Sequence, residues 1–131
     1  MDIFQDYMMH PRKPGRLVNP TLTREENNPL CDDALILDLC IEEGVVTDFA
    51  FSGNISLTAV ASLSFLYDTV CGMTVDEICL LDYSFFADHG IVVTMRRQKT
   101  LALPLVALIN ACKQRRGDPD RLDSESFVTF G

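Results

Sequence analysis

The chain has 131 residues, 47% hydrophobic and 23% charged, enough for one domain with a buried core. Its formal charge is -8, from 19 acidic against 11 basic residues, which argues against a nucleic-acid surface, since that needs a concentrated basic face. No apolar run reaches the roughly 18–20 residues that span a bilayer, and five cysteines without regular spacing do not describe a disulfide framework.

The N-terminus, Met1-Asp2-Ile3-Phe4-Gln5-Asp6, is acidic and lacks a signal peptide's basic start and apolar run. The expected compartment is therefore the cytoplasm. Ile3, Phe4, Tyr7 and Met8 share one helical face, and Pro11 ends that turn. Residues 10–29 hold Pro11, Pro14, Pro20, Pro29, Gly15 and a polar run from Thr21 to Asn28, and they read as a long connecting segment.

Asn28-Pro29-Leu30-Cys31-Asp32-Asp33 follows, with one thiol and two carboxylates inside a turn signal. A soft thiolate beside a hard carboxylate is half of a metal site. From Ala34 to Ile41 the pattern has period two, with Leu35, Leu37, Leu39 and Ile41 on one face and Ile36, Asp38 and Cys40 on the other. Glu43-Gly44 supplies a turn, and Val45 to Phe51 return with Val45, Thr47, Phe49 and Phe51 together. The spacing predicts a β-hairpin over about 34–52, broken by Ser52-Gly53-Asn54.

A helix is predicted from Ser56 to Val70, with Ile55, Ala59, Leu63, Leu66 and Val70 as its stripe and Cys71-Gly72 as its end. Ala59, Val60, Ala61 and Leu63 read as packing. Thr74-Val75-Asp76-Glu77 is a capping box that opens a short helix through Leu81. Tyr83 to Ala87 is apolar, Asp88-His89-Gly90 turns, and Ile91 to Thr94 reads as extended. The last helix runs from Gln98 or Lys99 to Gln114, with Pro104 early enough to be tolerated. Gly117-Asp118-Pro119 ends it. Residues 118–131 are polar and read as a loose tail after a single domain spanning 1–117.

This order resembles the IscU/NifU-type iron–sulfur cluster assembly scaffolds. Asn28 to Asp33 is close to that family's first ligand motif, Asn-Pro-x-Cys-Gly-Asp. Tyr7 with His10 to Gly15 is similar to its N-terminal helix and the segment after it. Gly53-Asn54 through Ala61-Ser62 resembles the second ligand loop and the helix it opens. Gly72 to Glu77 matches the capping stretch, and Lys99 to Leu108 resembles the motif Lys-Cys-x-x-Leu-Pro-Leu-x-Ala-Leu. The likeness covers roughly residues 3–116 and implies an α+β fold, a small antiparallel sheet with helices packed on it.

The resemblance also implies a ligand set. Three cysteines and the first-loop aspartate, with a histidine in some members, would converge on an iron–sulfur cluster or zinc. This chain keeps Cys31 and Asp33. Asn54 stands at the second cysteine position, Thr100 at the third, and Lys99 where the histidine sometimes stands. Asp32 replaces the glycine between Cys31 and Asp33, and its charge disfavours the Cys31 thiolate unless Arg96, Arg97 or Lys99 lie over it. Cys40, Cys71, Cys79 and Cys112 fall at no ligand position and read as small core hydrophobes. His89 reads as an exposed turn residue and His10 as a helix-end residue. The clusters Arg96, Arg97, Lys99 and Lys113, Arg115, Arg116 read as solvated counter-charges.

Three classes of function follow. The first is a scaffold-like, non-enzymatic carrier that accepts sulfur or a weakly held metal on Cys31 from a cysteine desulfurase. The second is an interaction or regulatory paralogue that docks on a desulfurase or an intact scaffold and holds no cluster. The third is an enzyme with Cys31 as nucleophile, disfavoured because no histidine is placed as its base.

Overall fold

The computed structural model describes residues 3–12, 14–28, 33–118, 122 and 127, and for Ile3, Asn28 and Asp33 it describes the backbone. Nine elements follow in order: α1 (Ile3–Met9), β1 (Leu22–Asn28), β2 (Asp33–Glu42), β3 (Val45–Asn54), α2 (Leu57–Val70), α3 (Val75–Cys79), α4 (Ser84–Asp88), a 3-10 turn (Met95–Arg97) and α5 (Gln98–Arg116). The strands form an antiparallel sheet in the order β1-β2-β3. Helices cover one of its faces, which is the α+β arrangement expected.

The hairpin forms where the alternation predicted it. Leu35, Leu37, Leu39 and Ile41 are buried on the helix side. Glu43 and Gly44 both take positive φ, 52° and 78°, the geometry of a tight two-residue turn whose twist matches its strands. The return strand departs from the expected register. Cys40 pairs with Asp48 and Ile41 with Val46, leaving Thr47 as the extra residue of a bulge. Val46, not Val45, therefore joins Phe49 and Phe51 in the core, while Thr47 is exposed. A one-residue insertion flips every side chain on its far side.

The strand also runs through Ser52-Gly53-Asn54 instead of breaking there. Gly53, at φ +113°, pairs with Leu35, and a Cβ on it would overlap the Ala34 carbonyl oxygen. Glycine is what lets the strand continue.

A larger correction concerns residues 22–28, read as part of a connecting segment. They are strand β1, paired along its length with β2. The run is polar because its inward positions carry Arg24 and Glu26 rather than aliphatic side chains. Glu26 is 3% exposed, bonded to Arg24 Nε at 3.2 Å and accepting from Asn110 Nδ2 at 3.1 Å. Charged side chains on an edge strand also discourage pairing with another chain. Residues 14–21 cross the outer sheet face, from the Gly15 N–H on the Phe51 carbonyl (2.6 Å) to the Thr21 N–H on Leu39 (2.7 Å). Asp38 anchors the crossing. It is wholly buried and accepts from Arg16 Nε (2.6 Å), Leu17 N–H (3.0 Å) and Thr23 Oγ1 (2.6 Å).

α2 begins one residue after its predicted start, with Ser56 as its N-cap and Ser56 Oγ accepting from the Ala59 N–H at 3.3 Å. Ala59, Leu63, Leu66 and Val70 of its stripe are buried and Ile55 is partly so, but Thr58, Ala61, Ser62, Ser64 and Phe65 are buried too, because α1 and α5 pack on its flanks. Tyr7 of α1 meets Phe65 edge-on at 6.2 Å and donates to Asp68 at 2.9 Å. Burial and the Asp68 bond push its phenol up to about 12.

The Thr74–Glu77 capping box is present in both directions, and α3 ends at Cys79, before Leu81. Residues 91–94 form no strand. In α5 the residues from Thr100 to Cys112 are all buried, so the helix is enclosed by sheet, α2 and α3. Gly117 caps it at φ 79°. Beyond it the expected loose tail is tied down at two points. Leu122 donates its N–H to Asn110 Oδ1 at 2.7 Å and accepts from Asn110 Nδ2 at 3.2 Å, and Phe127 is 9% exposed within the core cluster.

Candidate functional site

Strand register carries two of the expected ligand residues, Asp33 and Asn54, to one end of the sheet. Asn28 pairs with Asp33 as the last rung of β1–β2, and Ala34 pairs with Asn54 as the last rung of β2–β3. The central strand thus carries Asp33 and Asn54 to the same end of the sheet. Gly53 makes that possible, since any Cβ would force β3 away from Ala34 one residue before Asn54.

The direction of α5 brings its first turn toward that end. Arg24 Nη1 donates to Gln114 Oε1 at 3.0 Å, and Glu26 receives Asn110 Nδ2 at 3.1 Å. Two residues of strand, at about 3.3 Å each, match four residues of helix, at about 1.5 Å each. The helix therefore runs antiparallel to β1, and the strand's exit at Asn28 heads toward the helix's start. Inside that start, Pro104 contributes no N–H to the helical ladder that reaches back toward Thr100. The next carbonyl, of Leu101, accepts from the Ser62 hydroxyl of α2 at 2.7 Å. This bond ties α2 to the turn that carries Lys99 and Thr100.

Thr100 is buried and Lys99 half-buried, while Asn54 is exposed. No side chain caps α5 at Arg97. The helix N-terminus and the nearby Arg96, Arg97 and Lys99 give this end a positive field. Arg96 and Arg97 are exposed in the 3-10 turn. Cys31 and Asp32 lie outside the described residues, as does the side chain of Asp33.

The remaining candidates lie elsewhere. Cys40 sits on the outer sheet face with its thiol 3.8 Å from the Asn19 carbonyl. Cys71 is the C-cap of α2, Cys79 ends α3, and Cys112 is buried in α5. His10 pairs with Asp6 on α1 at 3.3 Å. His89 packs on Phe85 and Phe65, its Nδ1 2.8 Å from the Phe85 carbonyl. Among the described residues no group of three or more His, Cys, Asp or Glu side chains is arranged to hold a metal ion. No helix among them is long and apolar enough to cross a membrane.

The donor chemistry at the family positions does not fit a four-ligand cluster. Cys31 offers a thiolate and Asp33 a carboxylate, but Asn54 and Thr100 offer neutral oxygens, weak donors to iron–sulfur centres and to zinc. Sequence reasoning missed Ser62, Gly53 and Asn110 as the residues that position this end. The serine sat in a small-residue run and the asparagine in an apolar helix, and both meet partners far along the chain.

The family described as NifU-like N terminal domain matches residues 1–106. The chain is 34% identical over 73 residues to the iron–sulfur cluster assembly scaffold protein IscU of Thermotoga maritima, 56% of this chain and 51% of that protein. Against the IscU scaffold protein of Streptococcus pyogenes serotype M1 it is 31% identical over 81 residues, 62% of this chain and 50% of that one. The chain thus spans about half the length of the curated relatives it matches. The crystal structure of an N-terminal NifU-like protein from Brucella abortus is similar at a TM-score of 0.70 and 20% identity, over 92% of this chain and 95% of that one. At that identity the likeness shows the fold alone. The match over residues 1–106 does more: the chain belongs to the NifU-like N-terminal domain family.

Proposed function

We propose that the protein works in iron–sulfur cluster assembly as a scaffold-like carrier, not an enzyme, whose ligand set has shrunk to Cys31 and Asp33. The observation that carries this reading is the sheet end itself. The Asn28–Asp33 and Ala34–Asn54 pairs bring Asp33 and Asn54 to one sheet end, and Asn54 and Thr100 stand where the family resemblance places two thiols. The cargo compatible with one thiol is sulfur, or a metal held weakly by Cys31 and Asp33.

The partner is a cysteine desulfurase, met in the cytoplasm. The Cys31 thiolate attacks the terminal sulfur of the desulfurase persulfide. The S–S bond breaks, the desulfurase thiolate leaves, and Cys31 carries the persulfide.

Incubation with a cysteine desulfurase and cysteine, followed by peptide mass spectrometry, tests this. One added sulfur on Cys31, lost in Cys31→Ser, is the expected result. A desulfurase that carries persulfide while Cys31 gains no sulfur overturns it. The same missing thiols favour a second reading, a regulatory paralogue that docks on a desulfurase or an intact scaffold. Its signature is capture of such a partner, undiminished by Cys31→Ser, without sulfur transfer.

A further inference from the structure

Two cysteines outside the expected ligand positions stand on α3 and α5, helices that pack against each other. Arg116 of α5 donates to Asp76 of α3 at 3.1 Å, which fixes how the two helices lie side by side. Three residues on from Asp76 is Cys79, and four residues back from Arg116 is Cys112. Both steps are one helical turn and keep each residue on the face of its start. Cys79 and Cys112 thus each lie one helical turn from the residues that bond α3 to α5.

The electrostatics agree with that placement. Burial first, and then the charge of Cys79, raise the Cys112 thiol to about 12. Burial also raises Cys79, while Arg116 and Lys113 pull it down. The accessibilities differ. Cys79 is partly exposed at the end of α3, and Cys112 is completely buried.

We propose that Cys79 and Cys112 form an oxidisable dithiol, with Cys79 as the residue that meets the oxidant and Cys112 as the one that resolves it. The oxidant class is a hydroperoxide. The Cys79 thiolate attacks one peroxide oxygen, the O–O bond breaks, and hydroxide leaves and takes up a proton, giving a sulfenic acid and water. The Cys112 sulfur then attacks the Cys79 sulfur, the S–O bond breaks, and a second water leaves. Two thiols lose two electrons, the peroxide gains them, and a disulfide joins α3 to α5. Arg116 and Lys113 beside Cys79 favour the thiolate that begins the reaction. The loop closed by the bond, residues 79–112, includes Lys99 and Thr100.

Full-length protein treated with graded hydrogen peroxide, alkylated and digested without reductant provides the test. The expected product is a peptide pair joined through Cys79 and Cys112, with both thiols lost together while Cys40 and Cys71 stay alkylatable. In Cys112→Ser and Cys112→Ala, Cys79 should instead be trapped by dimedone as sulfenic acid. Cys79 oxidised to sulfinic acid with Cys112 still free in the parent protein overturns the proposal. So does loss of the Cys40 or Cys71 thiol before that of Cys79.

Discussion

Asn110 and Glu26, 84 positions apart, meet in the interior with the amide donating to the carboxylate at 3.1 Å. That contact sets β1 antiparallel to α5 and so turns the strand's exit toward the helix's first turn. The same amide holds Leu122 from both sides. One side chain thus orders the edge strand, the last helix and a point in the chain's end.

Asn110→Leu keeps the volume and removes all three bonds. Loss of a partner from a buried charged acceptor costs about 1–3 kcal/mol. Chemical denaturation should show that loss, and hydrogen exchange should show the Leu122 amide exposed ahead of the core. Unchanged Leu122 protection would mean that another contact holds it.

Gly53→Ala probes the approach of β3 to β2. The added Cβ meets backbone, not a flexible side chain, and the residue keeps a φ of +113°. Strain at such a position costs about 1–3 kcal/mol, with the clash adding to it. A lowered Tm together with lost protection at residues 33–35 is expected. Protection unchanged there would contradict the close approach.

Asp38 gives a pH prediction with a definite sign. Burial alone would raise its carboxyl, but the bonds from Arg16, Thr23 and the Leu17 N–H, with the Arg16 charge, outweigh it and hold the group below its usual 3.8. The unfolded chain therefore takes up the proton more readily than the folded one. The stabilisation is complete above the unfolded value and is lost as pH falls through the folded value. Asp38→Asn should be less stable by about 2 kcal/mol at pH 7. The gap in Tm should narrow as pH drops below about 4. A gap that stays constant down to pH 2 would show that the charge on Asp38 is not what anchors residues 14–21.

Much of this architecture is local and therefore legible. Leu35, Leu37, Leu39 and Ile41 announce the buried face of β2, and Thr74 with Glu77 announces α3. β1 is not legible, since its inward Arg24 and Glu26 resemble a loop until Gln114 and Asn110 supply partners from the far end of the chain. The Thr47 bulge is hidden for a related reason, because Val45-Val46 satisfies either register and the sheet decides. At the candidate site, motif order singles out Asn54 and Thr100 as expected ligand positions. What orients the elements that carry them was not legible, because Gly53, Ser62 and Asn110 act through contacts made only on folding.

The central claim is that the family's sheet-end site survives in this chain while its capacity for a cluster was lost with two thiols. Anaerobic reconstitution with iron and sulfide, read by visible absorption and iron content, measures this directly in the parent protein and in Asn54→Cys/Thr100→Cys. The account predicts no stable iron–sulfur absorption in the parent and its appearance in the double variant. A parent protein that retains a stoichiometric cluster, or a folded double variant that forms none, would contradict it.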